Sequence, residues 1–422
     1  MRRSPVLARL GVVSLIAALA AGCSSSPTTS QASSDASASA AGTTIKIGID
    51  LPVSGADASI GIPTRNGAVQ AIEDANAKGV PGGFKFVAYD LDDAVQGAHD
   101  PAQGAQNVKT FVSDPAVLAM LGPFNSNVAK AEIPITNDAG LAQISPANTA
   151  TGLTKGDDAK KLRASHPDTI AFFRVNATDD RQGAAAAEFA RKRGFKRAFK
   201  RAFIIDDNET YGTDLSGVFE TEFRARGGTV LGHEHLSRGQ NDYKALLTKA
   251  RALSPDIIFY GGTTSTGGGL LRKQMGDAGL AKTAFIGGDG ISDQEFITAA
   301  GDMANGGYFT VAAADTTKLG TARAFLAAYK KRWHADAGPY SANAYTVAQI
   351  AIAAIEKAIV ADGNKMPTRA EVLKNVAATK NFPSPIGSVT FDANGDTTRP
   401  ILSLYEIEHG KPVFVDQYVA HT

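Results

Sequence analysis

Cysteine is almost missing from this sequence: one in 422 residues, at Cys23. An intramolecular disulfide and a multi-cysteine metal site are thereby excluded. A charge excess is missing as well. There are 43 Lys and Arg against 42 Asp and Glu, for a net charge of +1, whereas a nucleic-acid binder concentrates basic residues. Hydrophobic residues make up 43% and the mean hydropathy is −0.10, which excludes a polytopic membrane protein. The length is ample for two or three domains with cores of their own.

Complete catalytic and metal motifs are also lacking. Gly276 to Thr283 approaches a phosphate-binding loop, but Ala281 stands at the second required glycine. That segment also ends a helical stretch and enters a strand, the reverse of a phosphate loop's context. Thr263-Thr264-Ser265-Thr266-Gly267 lacks the first glycine of a nucleophile elbow. Asp392 to Asp396 opens like a calcium loop, yet Ser403 occupies the position of the closing Glu, and a turn between strands fits better. His233-Glu234-His235 puts two imidazoles on one face of a strand, which is too few ligands for a metal and reads as a solvated strand. No acid–base or nucleophile constellation emerges, so the chain is not expected to be an enzyme and no cofactor is expected.

What is present begins at the N-terminus. Arg2, Arg3 and Arg9 flank an apolar run from Leu10 to Ala21 broken by Ser14. A spanning helix needs about 20 apolar residues, so a basic start, a short apolar run and small residues describe an export signal. Ala20-Ala21-Gly22-Cys23, with Leu19 one place before the usual leucine position, resembles a bacterial lipobox. The resemblance implies that residues 1–22 are removed and Cys23 is lipidated, anchoring the chain to the cell membrane from outside the cytoplasm. Residues 23–44 are mostly Ser, Ala and Thr, with Asp35 the sole charge, a composition that forms a flexible tether.

From Ile45 the pattern is α/β. Short apolar strands at 45–51, 84–89, 117–121 and 141–144 alternate with amphipathic helical stretches, which implies parallel sheets covered by helices on both faces. Pro63 is read as the start of the first helix and Gly79 as its end, and Asp100-Pro101 as the cap and first turn of the second. The polar stretch Lys155 to His166 precedes a second series at 198–205, 228–235, 256–260 and 284–287. Helical stretches at 317–333 and 342–360 then precede strands near 387–391, 401–407 and 412–415. The tandem Lys196-Arg197-Ala198-Phe199 and Lys200-Arg201-Ala202-Phe203 reads as a short duplication without function.

Open α/β sheets bind ligands beyond their strand ends, and three such segments are polar. Gly122 to Asn127 leads into a helix with Ser126 as its expected N-cap, where free N–H groups attract an anion. Ser145-Pro146-Ala147-Asn148-Thr149 follows the next strand. In the second series, Gly287-Gly288-Asp289-Gly290 sets a carboxylate on a glycine-rich loop. Each is compatible with ordinary capping or turn formation. Together, neutral donors on one lobe and a carboxylate on the other suit a zwitterion.

At these residues the sequence resembles the branched-chain amino acid–binding proteins of ATP-driven uptake systems, with the type I periplasmic binding protein fold. The markers include Leu51-Pro-Val-Ser-Gly55, Gly140 to Thr149, Phe173-Arg174-Val175, Tyr211-Gly212, Pro255 to Gly262 and Phe391 to Asp396. The resemblance implies two doubly wound parallel-sheet lobes joined by three crossovers, near Arg174, Tyr308 and Ile386. Lobe one would be 45–173 with 308–385, and lobe two 174–307 with 386–420. It further implies that Ser126, Ala147 and Thr149 hold a ligand carboxylate, Asp289 its ammonium, and that Tyr211 caps it. Thr263 and Ile60 stand where relatives often carry tyrosine. The implied function is capture of an amino acid, branched-chain or similar, by a monomeric lipoprotein that delivers it to the permease subunits of an ABC transporter. The alternatives on the same fold are a ligand sensor or a binder of small amides, urea or aromatic acids.

Overall fold

The computed structural model describes residues 44–193 and 199–419. The leader, Cys23, nearly all of the tether and the start of the Lys196–Phe203 tandem lie outside the described residues. Strands β1 (Thr44–Leu51), β2 (Lys85–Asp92), β3 (Val117–Leu121), β4 (Ala142–Ser145) and β5 (Phe172–Arg174) form a 5-stranded parallel sheet in the order β2-β1-β3-β4-β5. Strands β3 and β4 are buried along their whole length, as strands covered on both faces must be.

Helix α1 (Ala58–Lys78) begins before Pro63, which lies inside it. The turn Gly55–Asp57 runs straight into the helix, so Pro63 falls in the second turn, where its missing N–H forgoes the bond to the Ser59 carbonyl. The helix gives way at Gly79, whose φ of 90° suits glycine. Helix α2 (Pro101–Ser113) starts where the sequence places it, with the Asp100 carboxylate accepting from the N–H groups of Ala102 and Gln103 at 2.8 and 2.9 Å. Helix α3 (Ser126–Ala139) follows β3.

The second sheet is 7-stranded: β6 (Arg201–Asp206), β7 (Thr229–His235), β8 (Ile257–Gly261), β9 (Ala284–Gly287), β10 (Gly307–Val311), β11 (Ile401–Glu408) and β12 (Lys411–Val419), ordered β12-β11-β10-β9-β8-β6-β7. Strands β6 to β10 pair in parallel, while β11 and β12 join antiparallel. Its helices are α4 (Asp179–Glu188), α5 (Thr210–Ala225), α6 (Lys244–Ala252), α7 (Gly268–Asp277) and α8 (Gln294–Ala300).

The chain then returns to the first sheet through α9 (Arg323–Trp333), α10 (Ser341–Ala361) and α11 (Arg369–Ala377). By length and a mean hydropathy of 1.5, α10 could cross a membrane. It is instead a core helix, with Val347, Ile350, Ile355 and Ile359 buried in the core shared with Ala68 and Ile72 of α1. The helices touch closely at Gly67, where a Cβ would lie 2.1 Å from the Ser341 carbonyl oxygen. The passage anticipated near Tyr308 falls beyond Val311, because Tyr308 and Phe309 pair with Glu406 and Tyr405 in the second sheet.

Candidate functional site

The loops after β3 and β4 are fastened to each other. Ser145 donates its hydroxyl to the Pro123 carbonyl at 2.8 Å and accepts from the N–H groups of Ala147 and Asn148 at 3.1 and 2.9 Å. The Asn148 amide donates to the Phe124 carbonyl at 2.8 Å. Ser126 proves to be the first helical residue of α3, Asn125 being the N-cap, and its Oγ accepts from the Ala150 N–H at 3.3 Å. Below this loop lies Arg174 at the end of β5, wholly buried. Its guanidinium donates to the carbonyls of Asn148 and Ala150 at 3.2 and 2.8 Å and pairs with Asp396 at 2.7 Å. Burial opposes ionisation of Asp396, but the charge and hydrogen bond of Arg174, with Lys155 and Thr154, together outweigh it and hold the carboxyl below its ordinary pKa.

In the second lobe, Asp289 opens a short 3-10 turn just after β9. Its carboxylate accepts from Gln182 Nε2 at 2.7 Å, from the Tyr211 hydroxyl at 2.8 Å and from the Tyr340 hydroxyl at 2.5 Å. Burial raises the Asp289 pKa, and these three donors partly restore the ionised form. Tyr340 immediately precedes α10 and so belongs to the first lobe, where its ring meets Phe124 edge-on at 5.4 Å. Thr263 sits in a knot of hydroxyls with Ser265 and Thr266, and Thr266 donates to Asp207 at 2.8 Å. Burial, followed by the nearby Glu209 charge, pushes Asp207 up to about 7.

The structure brings all six residues singled out in the sequence to one place. Ser126, Ala147 and Thr149 from one lobe and Tyr211, Thr263 and Asp289 from the other line a single cavity with Phe124, Asn125 and Gly290. All six are buried, and the free space among them is about 20 Å³, room for about one water. Ile60 does not line this cavity; it lies in α1, in the core, rather than in a loop. Sequence reasoning missed Gln182, Tyr340 and Asp179, whose N–H donates to the Thr149 carbonyl at 2.8 Å. Nothing local marks Gln182 or Tyr340: Gln182 reaches Asp289 from α4, 107 residues earlier, and Tyr340 through the return of the chain.

A second set of contacts joins the lobes. His99 Nδ1 meets Asp57 at 2.8 Å within the first lobe, and its Nε2 meets Glu209 of the second at 2.7 Å. Asn127 donates to the same Glu209 at 2.8 Å, and Arg238 donates to the His99 carbonyl at 2.7 Å. Burial would lower the His99 pKa, but the carboxylates of Asp57 and Glu209 prevail and hold it at about 10.

Two parallel-sheet lobes whose strand ends converge on one buried polar cavity define a ligand-binding protein that closes around its cargo. The model of a family described as periplasmic binding protein matches residues 44–411, and the chain belongs to that family. Among its relatives, the Leu/Ile/Val-binding protein BraC3 of Rhizobium johnstonii is 33% identical over 369 residues, covering 87% of this chain and 93% of the relative. The leucine-, isoleucine-, valine-, threonine- and alanine-binding protein of Pseudomonas aeruginosa is 30% identical over 371 residues, covering 88% and 92%. The solved structure of the branched-chain amino acid transporter substrate-binding protein LivJ of Streptococcus pneumoniae, in complex with isoleucine, superposes with a TM-score of 0.75 at 26% identity, covering 90% of this chain and 99% of that one. The chain has the type I periplasmic binding protein fold and is an extracytoplasmic binding protein, not an enzyme.

Proposed function

We propose that this chain captures an α-amino acid with a branched aliphatic side chain between its lobes and delivers it to the permease of an ABC transporter. The observation that carries this reading is the pairing of Asp289 on one lobe with the hydroxyl and amide groups of Ser126, Ala147 and Thr149 on the other, around one cavity. In this reading Asp289 takes the ammonium, with Tyr211 alongside, and the helix α3 N-terminus and the Thr149 loop take the carboxylate without burying a full opposite charge. A neutral amide or an aromatic acid would leave the buried Asp289 without a cationic partner, a costly arrangement. The substrates named for the relatives at 33% and 30% identity agree with this choice.

The same reading makes the protein a lipoprotein held by Cys23, with residues 1–22 removed and a tether to residue 44. A Cys23→Ala protein is then expected in the medium or unprocessed; a mature form retained on the membrane would refute the anchor. The ligand assignment is tested by thermal shift on the full chain in detergent, stripped of carried-over ligand by unfolding and refolding. The panel holds single amino acids, urea, short amides and aromatic acids. A ligand at a hundred times its Kd adds about 2.7 kcal/mol, a rise of several degrees in melting temperature. A shift with leucine, isoleucine or valine supports the proposal, and one confined to ligands without an amine overturns it.

A further inference from the structure

The second sheet carries a cluster that the ligand cavity does not use. On the edge strand β7, His233 and His235 point to the same face, with ring centroids 5.1 Å apart. In the sequence alone these two imidazoles lack further ligands. The parallel register supplies one: Asp206, the last residue of β6, stands directly opposite His235. Each oxygen of its fully buried carboxylate faces one ring, His235 Nδ1 at 2.7 Å and His233 Nε2 at 2.7 Å. One ligand atom from each of the three residues lies within 4.8 Å of the others. The remaining nitrogen of His233, Nδ1, meets Glu220 of α5 at 2.8 Å, and Glu220 is in turn held by Arg224 at 2.7 Å.

We propose that Asp206, His233 and His235 form a binding site for a first-row divalent cation, of which Zn²⁺ is the best match. Two imidazoles and a carboxylate are the nitrogen and oxygen donors that zinc takes, with solvent completing a fourth position. A metal-bound histidine characteristically gives its other N–H to a carboxylate, which fixes the ring and its tautomer; Glu220 stands in that place and is a positioning residue. His235 is half exposed, so the ion has a path from solvent, and Asp206 anchors the site in the sheet. In the metal-free protein the Asp206 carboxylate pairs with both rings and Glu220 with His233. Glu234 points to the opposite face, where it pairs with Lys249, and takes no part.

The test is a Zn²⁺ titration of the untagged full chain in detergent, read by competition with a chromophoric chelator. One equivalent should bind. His233→Ala and His235→Ala should each abolish that equivalent, and Glu220→Gln should weaken it by about ten- to a hundredfold. Circular dichroism and thermal melts of the same variants, measured in parallel, report that they are folded; because the cation site is separate from the ligand cavity, it stands or falls independently of the proposed cargo. Failure to bind one equivalent of Zn²⁺, or binding that survives both histidine replacements in folded protein, overturns the proposal.

Discussion

The Tyr340 hydroxyl of the first lobe is bonded to the Asp289 carboxylate of the second, so the acid that faces the cavity is already partnered from across the cleft. In the proposed function a ligand ammonium shares or takes over that bond, and Asp289 then serves closure in two ways, by holding Tyr340 and by offering charge.

Asp289→Asn separates these roles. Because burial raises the Asp289 pKa in the folded state, its ionised form costs stability once pH exceeds the unfolded value near 3.8. Asparagine removes that cost, and its oxygen still accepts from Tyr211 and Gln182. The ligand-free variant should melt at or above the wild-type temperature at pH 7, while affinity for leucine falls about a hundredfold. Calorimetric titration together with thermal melts checks both; equal affinity would remove Asp289 from the site.

Gly288 lets Tyr211 reach its place. A Cβ there would lie 2.2 Å from the Tyr211 hydroxyl, while its φ of −91° and ψ of −167° are open to any residue. Gly288→Ala should thus act by collision alone, weakening ligand binding and costing about 1–3 kcal/mol of stability. Adding Tyr211→Phe removes the colliding oxygen but leaves the Cβ 2.5 Å from Leu215 Cδ2 and deprives Asp289 and the Gly290 N–H of a partner, so it should recover only part of that stability. Denaturant melts of the single and double variants decide the matter.

His99 makes closure sensitive to alkali. Its folded pKa of about 10 lies above the ordinary 6.5, so its contribution is complete below 6.5 and is lost as pH climbs through 10. Asp57, whose folded pKa is lowered, loses its share only at acid pH. Since the Glu209 contact exists between lobes, leucine affinity should decline as pH rises from the open-state pKa of His99 toward 10, by at most about tenfold per pH unit. His99→Gln should flatten that profile in calorimetric titrations; an unchanged slope would assign the dependence elsewhere.

Arg174 binds the loop of Thr149 to a turn at Asp396, 222 residues beyond Arg174 itself. Arg174→Met leaves Asp396 buried with the Thr154 hydroxyl at 3.0 Å and Lys155 at 3.5 Å in place of the guanidinium, and should cost about 3–5 kcal/mol. The double variant with Asp396→Leu should be less destabilised than Arg174→Met alone. A chemical-denaturation cycle measures the coupling.

The parallel sheets were legible because buried strands such as Val117–Leu121 and Ile257–Gly261 are continuous apolar runs between helical stretches. Helix ends with local chemistry, Asp100-Pro101 and Gly79, were legible too. Pro63 misled because proline suits a first turn, and here the preceding 3-10 turn extends the helix backward. Ser126, Thr149 and Asp289 stand beside strand ends and could be found there. Tyr340 and Gln182 could not, because their place at Asp289 depends on how distant segments fold back. The same holds for Asp206 beside His233 and His235, a meeting made by strand register rather than by spacing.

Strands β11 and β12 lie outside β10 yet are the last in the chain. Until residues 401–408 arrive, the β10 edge has no antiparallel neighbour, and the first lobe likewise waits for α9 to α11. For a chain delivered N-terminus first, neither half can be finished early, so most of the polypeptide passes through before a stable unit exists to jam its path. The price of this order is a late-exposed sheet edge, one that is open to pairing with a neighbouring chain until the C-terminal hairpin closes it.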